Sequence, residues 1–234
     1  MGLLFHNNSR KDEFHTQINN KRFPQVTCFN TSMINGGNVI RVKYPVDYAP
    51  QYSQLEDKYD YHIHNDPDVA AFVKANKDVF NLVNQGYDLR EIYAVEEFAF
   101  NHWIGEKVTT AKYDLTLQKV LKILTCGGAI AGSGKWNNLA HVVTTVGFVY
   151  DCPSIQSDAY YSGVAEKAEL EIINDRTSTL KEIIIDDSYG NPIEGYAKML
   201  SGNDTRVPLD TYVRSMDKHI SSVPTFYGCV FLPK

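Results

Sequence analysis

The hydrophobic pattern of this chain changes period near residue 126, and that switch limits the folds open to its 234 residues. Ahead of the switch the period is helical. Asp66-Pro67 reads as an N-cap with proline at the first helical position, and Val69, Phe72, Val73, Val79, Phe80 and Val83 follow at helical spacing. Gly86 closes that element, and Asp88-Leu-Arg-Glu91 opens another in capping-box style. A further helix is predicted from Leu115 to Leu124, ending at Gly127-Gly128. Beyond it, His141–Tyr150 (HVVTTVGFVY) is dense in β-branched and aromatic residues, the composition of a strand. Lys167–Ile173, Glu182–Ile185 and Phe226–Leu232 read the same way, Asp187–Pro192 is a turn cluster, and a short helix is expected at Leu209–His219. Residues 1–27 read as an irregular lead-in with a short strand at Phe14–Gln17, and a short helix follows Cys28 through Met33, Ile34 and the Gly36-Gly37 pair. Helices first and strands later predict the α+β class, an antiparallel sheet with the N-terminal helices on one face. One domain over 1–234 is expected, with a helical insert at about 48–125.

Charge and cysteine usage exclude several function classes. The 23 Lys and Arg against 28 Asp and Glu leave a net charge of -5 and no basic stretch to neutralise phosphates, which argues against nucleic acid as a partner. No apolar run approaches the ~20 residues of a membrane helix. The opening MGLLFHNNSRKDEF has neither an apolar h-region nor a cleavage site, so a soluble protein without a secretory signal is expected. His6 stands where N-myristoylation of Gly2 needs Ser or Thr. Cys28, Cys126, Cys152 and Cys229 form no CxxC pair, so a zinc site is not expected and most of them read as small buried apolar residues.

One constellation carries chemistry. Cys28 sits at a predicted helix N-terminus, where free N–H groups and the helix dipole favour thiolate over thiol. His141 opens a buried-looking strand that would hold its ring as a base. Asp187 ends another strand and suits the carboxylate that fixes a histidine tautomer. Strand alternation favours it over Asp186, because Ile183 and Ile185 share the face on which Asp187 follows. Gln17 lies upstream and could donate to an oxyanion; Gln25 is the rival, but only two residues separate it from Cys28. Cysteine, histidine and carboxylate in this order is the papain-type plan.

Three blocks of sequence resemble the bacteriocin-processing (double-glycine leader) peptidase-like family, the thirty-ninth family of cysteine peptidases. Thr16–Ser32 (TQINNKRFPQVTCFNTS) is similar to its "SQ.DN" and "TCxPTS" elements, Leu139–Phe148 (LAHVVTTVGF) to its "GHxVTVVGY" strand, and Ile183–Pro192 (IIIDDSYGNP) to its "IIVDDPYGN" segment. The resemblance implies a papain-like fold with Cys28 as nucleophile, His141 as base, Asp187 as orienting group and Gln17 as oxyanion donor. It implies amide-bond hydrolysis without a cofactor. The substrate would be a polypeptide or the peptide stem of bacterial cell wall, and the enzyme of a stand-alone bacterial or phage type. Asn30, Ala140 and Ser188 depart from the family's Pro, Gly and Pro. Those departures motivate the alternative, an inactive papain-like module with a structural or binding role such as a virion component.

Other motifs read as structure. His62-Ile-His-Asn-Asp66 resembles a binuclear metal element, but Pro67 replaces the following histidine, and the segment is expected to be an exposed pre-helical loop. Gly132-Ser-Gly-Lys135 lacks the first glycine and the final Ser or Thr of a phosphate loop, and the resemblance implies that it is the loop leading to the histidine strand. Glu56, Asp57, Asp60, Asp66 and Asp68 read as a solvated acidic face. Tyr59-Asp-Tyr61 and Tyr160-Tyr161 read as amphipathic packing at a core margin. The sequons at Asn7, Asn30 and Asn203 bear on the protein only in a eukaryotic secretory pathway.

Overall fold

The computed structural model describes residues 2–7, 27–45, 52–76, 89–151, 159–161, 179–196, 202–216 and 225–234. In chain order the elements are β1 (Gly2–His6), α1 (Cys28–Val39), α2 (Tyr52–Asn65), α3 (Pro67–Ala75), α4 (Leu89–Ile104), β2 (Thr109–Leu115), α5 (Leu117–Thr125), β3 (Ala129–Trp136), β4 (Leu139–Asp151), β5 (Ala159–Tyr161), β6 (Thr179–Asp186), β7 (Thr205–Pro208), α6 (Leu209–Ser215) and β8 (Phe226–Phe231). Local chemistry sets several boundaries. The Asp66 carboxylate accepts from the N–H groups of Asp68 and Val69, with Pro67 at the first helical position of α3. The Thr116 hydroxyl accepts from Lys119 N–H at the start of α5, and Gly127, at φ +79°, lets the chain leave that helix. Asn137 and Asn138 both take positive φ and turn β3 back into β4, a conformation asparagine tolerates better than most residues.

The strands form one mixed sheet in the order β2-β8-β3-β4-β1-β5, with β6 on the other flank of β4 and β7 outside it. Every pairing is antiparallel except β1 with β5. Strand β4 is long enough to serve two neighbours on one flank: β3 pairs with Leu139–Thr145, and β1 takes over from Gly147 to Asp151. Asn7 plugs the junction. Its N–H donates to the Val146 carbonyl at 2.8 Å. Its side-chain amide donates to the carbonyls of Leu124, at the end of α5, and Gly128.

Alternation along the strands buries both faces. Ala131, Val142, Tyr227, Cys229 and Phe231 point to one side, where Met33, Ile34, Tyr59, Phe100 and Trp103 of α1, α2 and α4 cover them. Ile130, Val143, Ile183, Ile185 and Val230 point to the other, against Val120 and Leu124 of α5 and Tyr212 of α6. The class is therefore α+β, with helices on both faces of the sheet and not on one alone.

Other expectations are corrected by the same structure. A strand, β1, precedes the first helix, and β2 gives the segment 48–125 a place in the sheet, so that segment is not wholly helical. Gly132–Lys135 belongs to β3 and not to a loop, and His62–Asn65 closes helix α2. Glu56 and Asp60 of the acidic cluster are buried while Asp68 is exposed, so the cluster is a solvated face only in part. Tyr59 is fully buried while Tyr61 is 55% exposed. Cys229 is buried, as expected of a free thiol, but Cys126 is exposed. Asn7 and Asn30 are buried, which makes poor acceptors of both sequons. The strands expected at Phe14–Gln17 and Lys167–Ile173, and Cys152, lie outside the described residues.

Candidate active site

The site forms where β6 stops pairing with β4, at the Thr144↔Asp186 register position. Past that point helix α1 occupies the flank of β4. The Ser32 hydroxyl donates to the Val142 carbonyl at 2.9 Å, and the Thr144 hydroxyl donates to the Ser32 carbonyl at 3.0 Å. The helix thus satisfies strand-edge groups that a neighbouring strand would otherwise bind. This lashing sets the start of α1, Cys28, beside His141 of β4 and Asp187 just after β6.

His141 Nε2 lies 2.7 Å from Asp187 Oδ1, with both side chains buried. A carboxylate only accepts, so a hydrogen resides on Nε2. Burial alone would lower the affinity of this imidazole for its proton. Hydrogen bonds to Asp187 and Cys28, and attraction to the charge on each, reverse that and push its pKa up to about 10. Asp187 is itself held at several points. Its N–H donates to the Gly202 carbonyl at 2.9 Å, Tyr189 N–H donates to Oδ1 at 2.8 Å, and the Tyr196 hydroxyl donates to Oδ2 at 3.3 Å. Asp186 faces elsewhere and accepts from Asp204 N–H.

Among the described residues no side chain caps the N-terminal end of α1. Thr27 occupies the cap position, yet its side chain makes no capping bond, and its hydroxyl is buried without a hydrogen-bond partner. No acidic residue lies in the first turn. The first N–H groups of a helix have no acceptor within it, so those at Cys28 present partial positive charge to whatever anion forms there. The rings of Tyr189 and Tyr196 stand edge-on to His141, with centroids 6.2 and 6.3 Å away.

Gln17 and its rival Gln25 lie outside the described residues. The HxHxD spacing does not build a metal centre as written: on helix α2, residues two apart project in divergent directions. His64 pairs with Asp60 at 3.1 Å and His62 with Asp66 at 3.7 Å. Asp66 meets His102 of α4 at 3.1 Å, a partner thirty-six residues away that no local motif announces. Among the described residues Asp66, Asp68 and His102 bring ligand atoms within 4.8 Å of one another, mostly at the exposed surface. No helix is long and apolar enough to cross a membrane among the described residues. Sequence reasoning missed Gly202 and Tyr196; neither sits in a recognisable motif, and only the fold brings them to Asp187. Comparison with protein-family models, with curated proteins and with solved structures finds no match to this chain.

Proposed function

We propose that the chain is a papain-like cysteine hydrolase that cleaves an amide bond in a polypeptide or in the peptide stem of bacterial cell wall, as its resemblance to the double-glycine leader peptidase family implies. The observation that supports this most is the buried His141, bonded through Nε2 to Asp187 and acted on by the Cys28 sulfur at an uncapped helix N-terminus. In the reaction, the Cys28 thiolate attacks the amide carbonyl carbon. The tetrahedral oxyanion takes hydrogen bonds from the Cys28 backbone N–H and, in this reading, from Gln17. The imidazolium of His141 gives its Nδ1 proton to the leaving nitrogen as the C–N bond breaks, leaving a thioester. Water then attacks the thioester, His141 takes its proton, and cleavage of the C–S bond releases the acid and restores the thiolate–imidazolium pair. Asp187 holds the tautomer that aims Nδ1 at the reacting atoms.

Two measurements test the reading. Intact-protein mass spectrometry after iodoacetamide at pH 5–6 is expected to show a single adduct, at Cys28, because a thiol is un-ionised there unless a cation stabilises its thiolate. Digestion of a peptide library and of purified cell wall by the wild type, and none by Cys28→Ala, is the expected outcome. Equal labelling of every accessible cysteine, with no digestion of either substrate, would leave a module that keeps the fold for binding or assembly.

A further inference from the structure

Tyr196 is held in a conformation that a tyrosine adopts only under constraint. Its φ is +63°, following Gly195 at +65°. For a bulky side chain the left-handed region is disfavoured, and such outliers persist where the surroundings over-determine them. Here the surroundings are visible. Tyr196 N–H donates to the Asn191 carbonyl at 2.9 Å, closing a small loop, and Gly195 N–H donates to Pro192 at 3.3 Å. The Asn191 side chain accepts from Ile193 N–H at 2.9 Å. The Asn137 side-chain amide, in the β3–β4 turn, donates to the Pro192 carbonyl and ties the loop to the hairpin that carries His141. The strained residue sends its hydroxyl to Asp187 Oδ2 and its ring edge-on to His141 and Tyr189. Asp187 is fully buried, with Oδ1 already shared by His141 and Tyr189 N–H.

We infer that Tyr196 is a positioning residue of the hydrolase site, a hydroxyl that clamps the second carboxylate oxygen of Asp187 so that the first stays on His141 Nε2. The inference rests on the hydrolase reading. Without the clamp, Oδ2 is a buried charged oxygen lacking a donor, and a carboxylate in that state rotates toward other donors or draws in water. Either response weakens its hold on the imidazolium, and with it the thiolate–imidazolium pair. The ionisable groups that face this cluster are Cys28 of α1, His141 of β4, and Asp187, Tyr189 and Tyr196 of the loop after β6.

The experiment is the pH profile of Cys28 alkylation by iodoacetamide in the wild type and in Tyr196→Phe, which keeps the ring and removes only the hydroxyl. Circular dichroism confirms that both are folded at the temperature used. The acidic limb of the variant is expected to move up by about one pH unit, the scale of one hydrogen bond to a charged group. A superimposable limb overturns the inference and leaves the hydrolase reading standing. A limb moved to lower pH also overturns it, because it shows that the hydroxyl weakens Asp187 instead of holding it. If wild-type Cys28 shows no acidic limb, the hydrolase reading fails on its own account. The inference is then judged by the nitrogen-15 signals of His141: a shifted Nε2 resonance in Tyr196→Phe supports the clamp, and an unchanged one ends it.

Discussion

A Cβ built on Gly202 would lie 1.9 Å from the carbonyl oxygen of Asp187 and 2.8 Å from that of Gly190, so no side chain fits there without moving the backbone that carries the carboxylate. Gly202 also receives the Asp187 N–H. Gly202→Ala is therefore expected to act on the site through Asp187, costing about 1–3 kcal/mol of stability from overpacking while slowing turnover far more than that loss implies. Asp187→Asn is the companion. It keeps the shape but presents an amide that stabilises the wrong tautomer of His141, and it is expected to lower turnover about 10³–10⁴-fold and to lower Tm as well, because the charge that holds the His141 proton is gone. Rate assays paired with thermal unfolding check both. If Gly202→Ala lowers Tm while turnover is kept, the backbone at Asp187 tolerates displacement and the account of the site's rigidity is wrong.

Helix α1 carries the nucleophile candidate, and its glycines explain how closely it approaches the sheet. A Cβ on Gly36 would fall 2.5 Å from the ring of Phe231, which is fully buried in β8 and edge-on to Phe100. Helix propensity alone predicts that alanine here stabilises by about 0.5–1 kcal/mol. The packing predicts the opposite sign, a loss of about 1–3 kcal/mol as the ring or the helix shifts. Denaturant unfolding of Gly36→Ala decides between the two by sign alone. The same helix shows what a sequence can and cannot disclose. Cys28 as its first residue, Asp66 and Pro67 at the head of α3, and the β-branched run of β4 follow from local chemistry and were legible. Strands β1, β2 and β3 were not. GLLFH and TTAKYDL are too short for a period to emerge, and glycines interrupt AIAGSGKW; their strand identity comes from neighbours distant in sequence. The choice of Asp187 over Asp186 was legible in the alternation of β6, whereas Gly202, Tyr196 and Asn7 act through contacts that no spacing encodes. The burial of Glu56 and Asp60 has no local signal, because acidic residues usually face solvent and the Thr31 hydroxyl that meets Glu56 sits on another helix.

Three helices of the layer that covers α1's side of the sheet are joined by carboxyl groups that water does not reach. Thr31 of α1 donates to Glu56 of α2 at 3.0 Å, and the Tyr59 hydroxyl of α2 bonds the carboxyl group of Glu96 on α4. Burial pushes Glu56 from 4.5 up to about 8, opposed by the Thr31 bond and aided by Asp57. Burial likewise raises Glu96 to about 7, against the bond from Tyr59. His141 rises from 6.5 to about 10 through Asp187 and Cys28, in spite of its burial. All three bind protons more tightly in the folded chain than in the unfolded one. Their stabilisation is complete below the unfolded pKa and is lost as pH climbs through the folded value: 4.5 to about 8 for Glu56, 4.5 to about 7 for Glu96, and 6.5 to about 10 for His141. The lowered carboxylates Asp66 and Asp114 have the opposite sign, but they sit at the surface, where screening leaves them little weight. The folded chain should therefore be most stable in mildly acidic solution, with Tm falling about 5–10 °C between pH 5 and pH 9. Calorimetry across that range measures it, and Glu56→Gln separates the contributions. The amide keeps an acceptor for Thr31 and cannot ionise, so the variant's Tm should fall less steeply up to pH 8, while the loss above that pH, which belongs to His141, remains. A wild-type Tm that is flat or rising from pH 5 to pH 9 would mean that these buried acids are ionised at no cost, and the helical layer would then owe nothing to their protons.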